Sequence, residues 1–188
     1  MKNSHLADIT LYWSSVPSPH GAWLALATER GVCWTGTPGA ALEEGVAWAK
    51  RWLPIEQIIE GEGIPPLRQA VEELSSFLAG ELKQFTCPLD RHGTPFQIAV
   101  WNAVSQIPYG ETRSYQAIAK TIDHPQAVRA VGAANGANPL APIVPCHRVI
   151  GSNGSLTGYG GGLPVKSWLL AMEQQSKTLW AARELPAS

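Results

Sequence analysis

The chain has 188 residues, 45% of them hydrophobic and only 15% charged, a balance that fits one large domain or two small ones and excludes a disordered polymer. No apolar run approaches a membrane span, and Met1-Lys2-Asn3-Ser4-His5 leads into no signal-like segment. Three widely spaced cysteines (Cys33, Cys87, Cys146) argue against a disulfide framework and a zinc cluster, and for a reducing compartment, so the expected location is cytoplasmic.

The net charge of -1 hides an asymmetry. Residues 1–90 carry six Lys/Arg against eleven Asp/Glu, whereas residues 91–175 carry six against three. A mildly basic half beside an acidic half is compatible with a polyanion on one side, although charge alone does not single one out.

In chain order, Ile9 to Val16, Trp23 to Ala27 and Val32-Cys33-Trp34 read as strands, joined by Pro/Ser/Gly and Glu29-Arg30-Gly31 turns. Residues 39–52 read as a helix stopped by Pro54. A second helix opens at Pro65-Pro66, with Leu67, Val71, Leu74 and Leu78 at helical spacing and Glu72 and Glu73 on the other face. Trp13, Trp23, Trp34, Trp48 and Trp52 read as core and packing residues, and this half shows no catalytic constellation. A boundary is expected in Phe85 to Gly93.

Thr94-Pro95-Phe96-Gln97 is then a helix start: Thr94 as cap, Pro95 at the first position, Gln97 closing a capping box, and Phe96, Val100 and Val104 as the buried stripe. Ser114 is the expected cap of a short helix, Tyr115 to Thr121. After Asp123-His124, Pro125 is expected to open another that runs to Asn135-Gly136, giving the outline of a helix-turn-helix. The second of these carries only Arg129 among small side chains. That composition suits close approach to a backbone or shallow groove, or else a tightly packed alanine-rich helix with an exposed arginine.

Leu140 to Val144 is expected to be extended and to lead into Pro145-Cys146-His147-Arg148. A thiol beside a histidine and an arginine is a candidate nucleophile, because a base or positive charge makes thiolate available at neutral pH. The four residues alone leave a buried, inert cysteine equally open. Beyond them, Thr157-Gly158-Tyr159-Gly160-Gly161-Gly162 lacks the spacing of a phosphate-binding loop. Pro164 opens a last helix with Trp168, Leu169 and Met172, and Glu173 is expected near its end.

From about Gly93 to Glu173 the chain resembles the O6-alkylguanine-DNA alkyltransferases, also called methylated-DNA–protein-cysteine methyltransferases. The matching residues are Gly93-Thr94-Pro95-Phe96-Gln97, Pro108-Tyr109-Gly110, Ser114-Tyr115, Arg129-Ala130-Val131-Gly132, Asn138-Pro139, Pro145 to Ile150, Gly158-Tyr159 and Lys166 to Glu173. The acidic front half resembles the variable amino-terminal domain of free-standing bacterial members. The resemblance implies direct reversal of O6-alkylguanine damage: the alkyl group passes irreversibly from a flipped base in double-stranded DNA to Cys146, once per molecule. It leaves O4-alkylthymine open as a further substrate. It implies that His147 deprotonates Cys146 through a water, that Glu173 orients His147, that Tyr115 assists the leaving purine and that Asn138 braces the turn. A bridging water suits neighbours that point to opposite sides of one strand.

By the same resemblance, Arg129 fills the vacated stack and Tyr115 crowds the flipped nucleotide's phosphate. Ser114, Ala127, Ala130 and Gly132 belong to the DNA-facing surface, and Pro145, Val149, Tyr159 and Gly160 line the base pocket. Gly160 stands where some relatives carry serine, and Ala137 where a longer residue is common. No cofactor is expected, and no metal, since Cys33, Cys87, His5 and His20 lack ligand spacing. The expected protein is a monomer without membrane attachment. Three alternatives remain: a binder of alkylated bases, which would replace the acceptor cysteine; a helix-turn-helix regulator with a thiol sensor; and a cysteine hydrolase, which would need an oxyanion hole.

The fold class expected is α/β (α+β). A small antiparallel sheet with helices occupies residues 1–90, a mostly helical domain with the helix-turn-helix occupies 91–175, and a tail follows at 176–188.

Overall fold

A computed structural model describes residues 8–183. His5 and the last five residues of the expected tail lie outside that range. The strands β1 (Ile9–Val16), β2 (Trp23–Thr28) and β3 (Gly31–Gly36) form the antiparallel arrangement expected from sequence. A fourth strand, β4 (Ile55–Glu60), was not legible, and it pairs parallel to β1, so the sheet is mixed, in the order β3-β2-β1-β4. Its residues are exposed from Glu56 onward and lack alternation; backbone pairing at a sheet edge, not a buried face, makes it a strand.

Alternation along β2, matched by β3 on either side of a register shift at Cys33, assigns the two faces of the sheet. Trp23, Ala25, Ala27 and Val32 join one hydrophobic cluster, while Leu26, Cys33 and Trp34 join another with Leu11, Ala49, Leu53 and Ile55. Helix α1 (Leu42–Lys50) covers the second face; it starts three residues later than expected because residues 37–40 form a turn. Helix α2 (Pro65–Leu78) starts at its two prolines and buries Leu67, Ala70, Leu74 and Phe77 on the first face. The leucine and phenylalanine side chains each contribute about 1.5–3 kcal/mol of transfer free energy on complete burial.

The first cluster does not stop at the sheet. It continues through Val100, Trp101, Val104, Ile118, Val131 and Leu169, so the two halves of the chain share one core. Helix α3 (Pro95–Ser105) has the expected capping box: Gln97 N donates to Thr94 Oγ1 at 3.3 Å, and Thr94 N donates to Gln97 Oε1 at 2.9 Å. After the short β5 (Arg113–Ser114) comes α4 (Tyr115–Thr121), where Ser114 Oγ accepts from Ala117 N at 3.1 Å.

Helix α5 is shorter than expected, Val128–Gly136, because residues 123–127 are spent on the turn, where Asp123 adopts a left-handed φ of 59°. Strand β6 (Val149–Ile150) pairs parallel with β5. Helix α6 runs Gly162–Arg183, well past the expected start of the tail, so Glu173 stands in the middle of a helix rather than near its end.

One more tie joins the halves. The outer edge of β3 is covered twice: by residues 88–90 at Val32, and by the turn ahead of Cys146 at Thr35. Covering an edge in this way satisfies backbone groups that would otherwise template a foreign strand.

Candidate active site

The segment expected to be extended, Leu140 to Val144, is a chain of turns. Asn138 holds it from inside: its Nδ2 donates to Val144 O at 2.8 Å, and its Oδ1 accepts from Leu140 N at 3.0 Å. Thr35 holds it from outside, donating through N to Pro139 O at 2.7 Å and through Oγ1 to Ala141 O at 2.6 Å. Cys146, His147 and Arg148 then form one turn of 3-10 helix, with Arg148 N bonded to Pro145 O at 2.9 Å. Cys146 and His147 are therefore not strand neighbours on opposite faces, and their divergence comes from a tight helical turn. Asn135 Nδ2, from α5, closes on Cys146 O at 3.3 Å.

Behind the cysteine lies a fully buried polar cluster. His147 Nε2 and Glu173 Oε1 are 2.7 Å apart, both side chains having no exposure to solvent. Glu173 also accepts from Arg148 Nε at 3.0 and 3.1 Å, from Arg148 Nη2 at 2.9 Å and from Gly110 N at 2.9 Å. Arg148 Nη1 donates to Ile107 O at 2.7 Å. Burial by itself would raise the Glu173 pKa, but the hydrogen bonds and charges of His147 and Arg148 outweigh it and bring it down to about 2.

An ionised carboxylate only accepts, so His147 Nε2 carries the ring proton and Nδ1 is left with its lone pair. That Nδ1 is buried and has no hydrogen-bond partner among the described residues. Burial lowers the His147 pKa, partly countered by Glu173, and keeps the ring neutral. The result is a neutral imidazole with a fixed tautomer.

Burial also raises the pKa of Cys146, which is 5% exposed; the Asn138 side chain, the Lys166 charge and two backbone N–H groups act in the opposite sense. Lys166 itself is fully buried, and its Nζ donates to Val149 O at 2.6 Å and Thr157 O at 2.8 Å. The resting side chain is thus a protonated thiol, with positive charge held nearby for the thiolate.

A cavity of about 400 Å³ opens in front of Cys146. Tyr159 and Gly160, two of the four residues expected around a base, line it, together with Asn135, Gly136 and Asn138. Pro145 and Val149 do not stand in that wall: both are buried, and Val149 is held in β6 with its carbonyl taken by Lys166. The opposite wall comes from Trp34 to Ala40 and Glu44, in the half that showed no catalytic feature in sequence.

Tyr115 lies across α4 and α5. Its ring packs beside Gly132, where an added Cβ would sit 3.9 Å away, and its hydroxyl meets Thr157 Oγ1 at 3.3 Å. Arg129 and Ala130 are exposed on α5, as are Ala133 and Gly136, while Ala127 and Gly132 are half-buried. This is a smooth helix face with one projecting guanidinium. Ser114 spends its hydroxyl on capping α4.

Arg148, Asn135, Lys166, Gly110 and Thr35 were missed as site residues. Arg148 stood next to the candidate pair and was a findable signal; the others depend on pairings across many residues. Among the described residues there is no cluster of three or more His, Cys, Asp or Glu suited to a metal, and no helix long and apolar enough to cross a membrane.

Comparison with known proteins finds one match confined to this half of the chain and others that span nearly all of it. The family model described as 6-O-methylguanine DNA methyltransferase, DNA binding domain, matches residues 95–175. The inducible methylated-DNA–protein-cysteine methyltransferase of Bacillus subtilis is 44% identical over 169 residues, which cover 90% of this chain and 93% of that protein. A similarly named protein of Methanosarcina acetivorans is 44% identical over 87% of this chain and 98% of its own length. The crystal structure of the O6-methylguanine methyltransferase of Mycobacterium tuberculosis superposes with a TM-score of 0.75 at 39% identity, covering 90% of this chain and 99% of that one. Another structure of the enzyme from that organism, in complex with DNA, has the same TM-score at 40% identity, covering 88% of this chain and 94% of that one.

Proposed function

Because the chain belongs to the methylated-DNA–protein-cysteine methyltransferase family, we infer that it repairs O6-alkylguanine in double-stranded DNA by moving the alkyl group onto Cys146. The observation that carries the assignment of residues is the 2.7 Å bond between His147 Nε2 and Glu173, which leaves Nδ1 as a fixed acceptor on the residue that follows the cysteine.

Burial keeps Cys146 as a thiol, so deprotonation accompanies substrate engagement. The thiol proton passes through a water to His147 Nδ1, and Glu173 stabilises the imidazolium that forms. Sulfur attacks the alkyl carbon in line, the carbon–O6 bond breaks, and the purine leaves with a proton or hydrogen bond from Tyr115. The proton released from the thiol restores the phenol through solvent. The thioether has no leaving group to regenerate the thiol, so each molecule reacts once.

Stacking bars in-line attack inside a duplex, and extruding the base costs a few kcal/mol. The exposed α5 face supports this step: small residues allow close approach to the backbone, and Arg129 fills the space in the stack. Tyr115 crowds the displaced nucleotide. Asn138 and Lys166 position the turn and its charge. Three free thiols support a reducing, cytoplasmic setting.

The test uses duplex DNA carrying O6-[methyl-labelled]guanine. The protein takes up at most one equivalent of label, and Cys146→Ala takes up none. Label on the Cys146→Ala variant, or turnover beyond one equivalent, overturns the assignment.

A further inference from the structure

The cavity in front of Cys146 has to hold the flipped base together with its O6 substituent, and at about 400 Å³ it falls within the range of small-molecule sites. It extends from Asn135 and Gly136 at the end of α5, past Cys146, to a wall supplied by the amino-terminal half. That wall has a defined construction. Residues Thr37, Pro38, Gly39 and Ala40 make a tight turn closed by Ala40 N to Thr37 O at 2.9 Å. Proline in second place and glycine with a φ of 91° in third are what a type II turn requires, so the wall is stiff.

It is also fixed relative to the thiol. The turn follows directly on β3, whose Thr35 bonds Pro139 O and Ala141 O in the turn carrying Cys146. On the far side Thr37 lies close against the glycine-rich loop: a Cβ added to Gly161 would come within 3.0 Å of Thr37 Cβ. The lining is mixed: Pro38 and Ala40 supply apolar side chains at the turn, while Thr35, Thr37, Asn135, Asn138 and Glu44 make the cavity as a whole more polar than apolar.

We propose that the Thr37–Ala40 turn is a specificity element of the alkyl-transfer site, the wall against which the O6 substituent rests and which sets the size of group passed to Cys146. The proposal rests on Cys146 being the acceptor. An arylalkyl group reacts by the same balanced displacement as methyl: the sulfur–carbon bond forms, the carbon–O6 bond breaks, and the thiol proton ends on the released guanine. What changes is the room required behind the reacting carbon, and there a larger group meets a turn that cannot yield.

The experiment compares transfer from O6-methylguanine and O6-benzylguanine, each in the same duplex. The wild-type protein accepts both. Ala40→Trp, which fills the cavity from the turn, slows benzyl transfer by about 10–100-fold more than methyl transfer, the scale on which one misfitted apolar group is discriminated. Thr37→Gly, which removes the contact with Gly161, raises the benzyl-to-methyl ratio. Methyl transfer in the same samples reports that each variant is folded, and Ala40→Leu gives a smaller change of the same sign. An unchanged ratio in these variants, or a wild-type protein that takes methyl but no benzyl, overturns the proposal. Absence of methyl transfer by the wild-type protein instead overturns the assignment of Cys146.

Discussion

The strand around Cys33 and the turn around Cys146 hold equally hidden thiols and make opposite use of them. Cys33 lies in β3 with a single carbonyl, Leu26 O, as its partner at 3.5 Å. Burial and the charge of Asp90 push its pKa up to about 12. Burial raises Cys146 as well, but Asn138, Lys166 and the N–H groups of the turn oppose the rise, and a neutral histidine with its lone pair free follows in sequence. Burial alone therefore does not distinguish structural from reactive thiols. The identity of the surrounding donors and charges does.

The largest effect that would sharpen this contrast comes from Glu173→Gln. The amide no longer fixes the His147 tautomer, so methyl transfer falls by about 10³–10⁴-fold, the scale seen when a triad carboxylate is neutralised. The loss also appears in stability. The folded-state pKa of Glu173 is depressed from 4.5 to about 2, so its stabilisation is fully present above the unfolded value and is lost as pH falls through the folded one. The shift corresponds to about 3 kcal/mol, so the variant, unlike the native protein, shows a shallower loss of stability in an acid titration followed by circular dichroism between those two pH values.

An intermediate effect is expected for Lys166→Met. Removing the charge lets the Cys146 pKa rise further, and the single-turnover rate at neutral pH falls by about 10-fold per unit of rise. The pH–rate profile moves to higher pH. An unchanged profile would mean that Lys166 only braces carbonyls.

The smallest effect belongs to the other thiol. Cys33→Ala removes one buried atom and costs about 1 kcal/mol in a chemical-denaturation midpoint, with label uptake unchanged at one equivalent. A drop in uptake would show that the strand thiol takes part, and the contrast would fail.

Local chemistry is what the sequence made readable. Thr94 with Gln97 and Ser114 with Ala117 N form their caps within a few residues, so their helix starts could be placed. The roles expected of Tyr115, Arg129, Asn138, Cys146, His147 and Glu173 were legible only through resemblance. Long-range pairing was not. Thr35 meets Ala141 across 106 positions, and β4 becomes a strand only because β1 offers it an edge. The 3-10 turn at Cys146 was read as a strand, because a short apolar run gives no signal that Asn135 and Asn138 will fold it back.

The Glu173 carboxylate has a further meaning for how such a protein changes over generations. One side chain bonds His147, pairs Arg148 and receives the Gly110 N–H, so α6, the turn after α3 and the segment carrying Cys146 all converge on it. A substitution there cannot adjust reactivity without also altering the fold. Variation is free to accumulate elsewhere, in the pocket wall and on the exposed face of α5, where one property changes at a time. Diversification of substrate range is therefore expected to proceed around a carboxylate that stays fixed.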